Sequence, residues 1–95
     1  MSLSILENWY SRQCDGDWEH SFGVKISTID NPGWSVSVDL HDTHKQKVVF
    51  EQVKIDRQPD DWIHYWAKKE KFEIRCGSLN LSEAIEIFGR WFDSP

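Results

Sequence analysis

The chain has 95 residues, 28% of them charged, and a formal net charge of −5. So short a chain makes one domain, spanning residues 1–95, and buries only ~60–65% of its unfolded surface, so its core must be efficient. The acidic balance disfavours binding to nucleic-acid phosphates, and no apolar run approaches the ~18 residues that cross a bilayer.

Met1-Ser2-Leu3-Ser4 lacks a basic region followed by an apolar segment, so no signal peptide is expected and the cytoplasm is the expected compartment. Ser4, with Glu7 three residues on, reads as a capping box. Ile5, Leu6, Trp9, Tyr10 and Gln13 then fall at helical spacing, which predicts an amphipathic helix over 3–13. Gly16 suits the positive φ that ends a helix.

Cys14-Asp15-Gly16-Asp17-Trp18-Glu19-His20 is the densest chemistry in the chain. It reads either as a site or as a corner between the helix and the first strand. Phe22 to Ile29 predicts that strand, and Asp30-Asn31-Pro32-Gly33 predicts a type II turn with Gly33 at positive φ. Trp34, Val36, Val38 and Leu40 alternate with Ser35, Ser37 and Asp39, the pattern of a strand with one buried face. His41 to Lys45 is a polar loop. Val48 to Ile55 predicts a third strand whose parity slips, so a bulge is expected near Glu51-Gln52. After a turn at Arg57 to Asp61, Trp62 to Ala67 carries large residues on both faces, as a central strand or a binding strand does. Lys68 to Lys71 turns the chain into a fifth strand, Phe72 to Cys76. Asn80 then predicts an N-cap with Glu83 three residues later, and Leu81, Ala84, Ile85, Phe88, Trp91 and Phe92 form the apolar stripe of a closing helix.

The predicted class is therefore α+β: a five-stranded antiparallel meander sheet, with an N-terminal and a C-terminal amphipathic helix packed on one face. The other face is left for function.

Each motif has a functional and a structural reading. Asp15, Asp17 and Glu19 are oxygen ligands for a hard cation, but the spacing lacks the EF-hand pattern. The structural alternative is a turn held by Asx-type hydrogen bonds. Cys14 with His20 has the composition of a nucleophile and base, yet no oxyanion-binding glycine loop accompanies it. His41 and His44 make an HxxH pair in a loop, only two ligands for zinc, and exposed histidines are the plainer reading. Cys14 and Cys76 are the only cysteines and form no CxxC pair, so neither a disulfide framework nor a structural zinc site is expected. No cofactor, metal or catalytic residue is predicted. Trp62, His64 and Trp66 share one strand face, where tryptophans serve equally as a second core layer or as partner contacts.

Several runs carry a family resemblance. Asn8-Trp9-Tyr10, Cys14 to His20, Gly23-Val24-Lys25-Ile26 and Asp30-Asn31-Pro32-Gly33-Trp34 resemble the immunity protein 53 family, small proteins of bacterial polymorphic toxin systems. The similarity runs on through Asp61-Trp62-Ile63 to the closing helix, and its specific part is the first thirty or so residues. The resemblance implies a non-enzymatic immunity protein that binds and neutralises a cognate toxin. Many such toxins attack nucleic acids and would have basic clefts, which an acidic loop would fit. On that reading the partner-binding candidates are Asp15, Asp17, Trp18, Glu19 and His20, with Asp60, Asp61 and Trp62 as a second patch. Membrane and nucleic-acid partners are not expected, and the chain is expected to be a monomer or weak dimer. The alternatives are a small metal-dependent or Cys/His hydrolase, and a generic interaction module.

Overall fold

The computed structural model describes residues 2–95. The elements run α1 (Ser2–Gln13), α2 (Trp18–Ser21), β1 (Val24–Ile29), β2 (Gly33–Asp39), β3 (Phe50–Gln58), β4 (Asp61–Lys68), β5 (Lys71–Cys76) and α3 (Leu81–Asp93). The class is α+β, with five antiparallel strands and a helix at each end.

The meander comes in two runs, β1–β2 and β3–β4–β5, joined where β5 pairs with β2, so the order across the sheet is β1-β2-β5-β4-β3. Three strand spacings, ~14 Å, therefore separate β2 from β3. Residues 40–49 cross that distance on the helix side. On the way His44 Nε2 lies 3.1 Å from the Phe92 carbonyl and Lys45 Nζ donates to Ser94 Oγ at 3.1 Å. The loop thereby fastens the end of α3.

The alternation in β2 sets the two faces. Val36, Val38 and Leu40 are buried, and register places Val36 and Val38 opposite Ile74 and Phe72. On the same face β4 contributes Ile63, Tyr65 and Ala67. Leu6 and Trp9 of α1 and Ala84, Ile85, Ile87, Phe88 and Phe92 of α3 close this core. Trp9 is its aromatic centre, edge-on to Phe88 at 5.2 Å, Phe92 at 5.4 Å and Trp18 at 5.9 Å. Its Nε1 is the buried side-chain donor left without a partner among the described residues. At Gly89 a Cβ would come within 2.7 Å of Ile5 Cγ2, so glycine lets α3 approach α1 this closely.

The bulge expected in β3 is present. Phe50 pairs with Ala67 and Val53 with Tyr65, so Glu51 and Gln52 take up the extra residue and Phe50 and Val53 both lie on the helix side of the sheet. A second shift at Arg57 was not foreseen. The β4–β5 hairpin turns on Lys69 and Glu70 at φ 53° and 63°, the conformation of a two-residue primed turn.

Four expectations need correction. Helix α1 already includes Ser2, so Ser4 lies inside its first turn and is not the N-cap. The predicted start of β1 at Phe22 fails because Trp18–Ser21 forms the short helix α2. The Asn31–Pro32 bond is cis and Gly33 does not take positive φ; Gly33 opens β2, where a Cβ would strike the Cys76 carbonyl. Asn80 occupies the N-cap position of α3 but makes no capping bond; its Oδ1 instead accepts the Trp62 N–H at 3.3 Å.

Candidate functional site

Opposite the helices the sheet presents an open face. Register brings Ser35 beside Arg75 and Ser37 beside Glu73 from β2 and β5, then His64 beside Arg75 and Trp66 beside Glu73 from β4. Lys54 and Asp56 of β3 lie beside His64 and Trp62. Trp62, His64 and Trp66 therefore line one side of a central strand, half-buried and not sealed in the core.

Two shallow grooves share Gln52 and Arg75 and so run together across this face. One, of about 690 Å³, lies around Trp62 and His64 toward the β1–β2 and β3–β4 turns. The other, of about 640 Å³, lies around Trp66 and ends at Lys68, Lys69 and Lys71. Polar contacts hold the aromatic groups in place. His64 Nε2 sits 2.7 Å from Asp56 Oδ1, and the Trp62 and His64 rings are 4.9 Å apart. The Arg75 guanidinium lies 5.3 Å from the Trp66 ring centre and donates to Glu73 Oε1 at 3.2 Å and to the Ile74 carbonyl at 2.9 Å. The result is an amphipathic platform in which rings and charged groups alternate.

The Cys14–His20 stretch is a corner held by its own carboxylates. Asp15 Oδ1 accepts the N–H groups of Asp17 and Trp18, both at 2.9 Å. Glu19 accepts those of Asp15 at 2.9 Å and Gly16 at 2.8 Å. Gly16 takes φ +91°, as expected of the residue that breaks from α1. Hydrogen bonds from Trp18 and Asp17 hold the Asp15 carboxyl below its ordinary range. Glu19 is lowered by its own backbone N–H, then by those of Asp15 and Gly16 and by His20. These are the Asx-type bonds of the structural reading. The Cys14 thiol donates to the Tyr10 carbonyl at 3.3 Å, a contact that does not involve His20. Among the described residues no three His, Cys, Asp or Glu side chains converge on a cation position.

Trp18, one of the partner-binding candidates, is instead part of the corner. It is 5% exposed, packs among Trp9, Tyr10 and Phe22, and donates Nε1–H to the His41 carbonyl at 2.8 Å. Its area is already covered by the fold. Asp17 and His20 remain on the surface.

The second acidic patch divides in the same way. Asp60 is exposed in the β3–β4 turn, whereas Asp61 is held by Arg57 at 2.9 Å and Asn80 at 2.8 Å. Arg57, re-aimed by its bulge, also reaches Glu83 at 2.6 Å. Arg57 holds the Asp61 carboxyl low, with Asn80 second, and it lowers Glu83 as well. The two patches stand at opposite ends of the sheet, ~23 Å apart along β4, so they do not form one site. Of the eight candidates, Trp62 alone lines the groove. Trp66 was placed on its strand face by alternation alone, and Arg75 was missed because its place beside Trp66 depends on β5 pairing with β4.

HxxH is likewise taken apart. His41 stacks on Phe22 at 4.3 Å and bonds Glu70 at 2.9 Å, which raises its pKa, while His44 lies against Phe92. Cys76, fully buried in β5, has its thiol pKa pushed up to about 11 by burial, which suits an inert core residue.

No helix among the described residues is long and apolar enough to cross a membrane. Neither a curated protein nor a solved structure matches the chain. The family model described as immunity protein 53 matches residues 3–93, from the first turn of α1 to the last residue of α3. The chain belongs to the immunity protein 53 family.

Proposed function

We propose that this chain neutralises a cognate bacterial polymorphic toxin by binding it directly, stoichiometrically and without catalysis. Family membership over nearly the whole chain carries this reading. Immunity requires a rigid, selective surface and no turnover, and the open sheet face suits that need. Trp62 and Trp66 are the anchors, and Arg75 keeps Trp66 in place. Asp17 and Asp60 are exposed carboxylates that steer a basic partner toward the two ends of the sheet. Net charge −5 suits a toxin with a basic cleft, such as a nuclease-type domain, met in the bacterial cytoplasm.

The test uses a candidate toxin domain sought among the genes neighbouring that of this chain. Co-purification as a 1:1 complex and loss of toxicity on co-expression are expected. Absence of both a complex at micromolar concentration and protection would overturn the reading. A Cys14→Ala/His20→Ala double variant is expected to protect fully; loss of protection in the folded variant would favour the hydrolase alternative.

A further inference from the structure

The two edges of the sheet are built differently. The β3 edge is broken by two register shifts and carries Glu51, Lys54, Asp56 and Arg57. Bulges and charge of this kind prevent strand addition. The β1 edge has no bulge and carries a single charge. It pairs with β2 over six consecutive residues without a shift, and Lys25 is its one charged side chain. Lys25 opposes Ser37 on the open face, so it points away from the helix layer and leaves the strand edge free.

Beside this edge lies an apolar groove of about 430 Å³, lined by Leu3, Leu6, Glu7 and Tyr10 of α1 with Val24 and Ile26 of β1. Three large apolar residues exposed in the fold meet here: Leu3 at 56%, Tyr10 at 39% and Ile26 at 38%. A regular edge with one charge, next to clustered apolar surface, is a place for another strand.

We infer that β1 pairs with β1 of a second copy of this chain, antiparallel about a two-fold axis at Ile26. The sequence of β1 is complementary to itself in that register. Ile26 meets Ile26 of the second copy, Val24 meets Thr28, and Lys25 meets Ser27, so no like charges are opposed. Side-chain parity is kept, so the two sheets continue as one and both helix layers lie on the same side. Leu3 and Tyr10 of both copies then flank the junction. The patch is one short strand and a groove, below the ~1,200 Å² of a standard interface. The dimer is therefore weak. The open sheet face stays clear, so this inference stands apart from toxin binding.

Sedimentation equilibrium of the free protein from micromolar to millimolar concentration tests it. The mean mass is expected to climb from 11.3 kDa toward twice that value. Ile26→Lys and Ile26→Asp should each abolish the rise, because like charges then face each other at the axis. Mixing the two variants should restore it. A mass that stays at that of the monomer throughout overturns the proposal, as do single variants that dimerise like the parent. Hydrogen exchange on the unmodified chain guards against variants that fail to fold. Amides of Val24 to Ile29 should gain protection as concentration rises. Concentration-dependent protection elsewhere, or protection of β1 only when toxin is added, overturns self-pairing.

Discussion

Glu19 accepts the backbone N–H of Asp15 at 2.9 Å, and Asp15 in turn accepts that of Trp18 at the same distance. The two acids close the corner between α1 and β1 and seat Trp18 in the core. Their role follows from what they bond: peptide donors of a turn that lies outside any regular ladder.

Acid should therefore loosen this corner. Donated N–H groups stabilise the ionised carboxylates and lower both pKa values in the fold. A depressed folded pKa gives stability that is complete above the unfolded carboxylate range and lost as pH falls through the folded value. The corner's contribution to the melting temperature should be complete above ~pH 5 and fall away below ~pH 4. Asp15→Asn and Glu19→Gln should lower the neutral-pH plateau by several degrees and flatten the acid limb. Asp17→Ala should leave the plateau unchanged, since its side chain caps nothing. Thermal melts across pH decide this, and an unaltered acid limb in the Asp15 and Glu19 variants would refute the account.

Asn80 ties the start of α3 to β4. It is buried, accepts the Trp62 N–H at 3.3 Å and donates to Asp61 at 2.8 Å. Asn80→Ala leaves that N–H without its partner and should cost ~1–3 kcal/mol. Gly77→Ala acts at the same point, because a Cβ there would come within 2.5 Å of Asn80 Oδ1 and 2.7 Å of the Asp60 carbonyl. Overpacking against backbone should cost ~1–3 kcal/mol or more. Urea denaturation measures both. The two effects should be less than additive, since either variant displaces the same amide.

Trp62 and Trp66 should separate binding from folding. Their side chains line the open face and not the core. Each change to alanine should weaken toxin binding by ~2 kcal/mol or more, the scale of an interface anchor, while the melting temperature shifts little. Trp66→Ala should also free Arg75, now 5.3 Å from its ring. Calorimetry with the toxin domain reads the loss. Full affinity in both variants would move the contact surface to another face.

Much of the fold was legible because single residues enforced it. Strict alternation from Trp34 to Leu40 admits only one buried face, and the parity slip after Phe50 demanded the extra residue found at Glu51-Gln52. Leu81 to Phe92 keeps one stripe with no competing pattern. The misreading at the start of α3 has a plain cause: a polar side chain that looks like a local cap is used at a distance. Asn80 reaches β4, and Glu83 reaches Arg57. The site was less visible for a related reason. Trp18 and Trp62 each stand beside acids, and only the three-dimensional contacts place one under the corner and the other on the open face. Arg75 becomes a partner of Trp66 only through the β5–β4 pairing.

The loop from β2 to β3 supplies a further prediction. Lys45 is only 6% exposed, yet its Nζ finds a hydroxyl at Ser94, 3.1 Å away, and the Trp91 ring, 4.9 Å to the centre. Its stem covers apolar surface while the ammonium bonds at the rim of α3. Lys45→Ala removes stem and charge together and should cost ~1–3 kcal/mol. Lys45→Met keeps the stem and removes only the cation, so it should cost less than ~1 kcal/mol. Chemical denaturation of the pair separates packing from charge. Equal losses would mean that the ammonium alone holds the loop, and the packing account would fail. Fluorescence adds an independent readout. Both variants should change Trp91 emission at neutral pH, because both lift the cation from its ring, whereas Ser94→Ala should leave the cation over the ring and the spectrum near that of the parent.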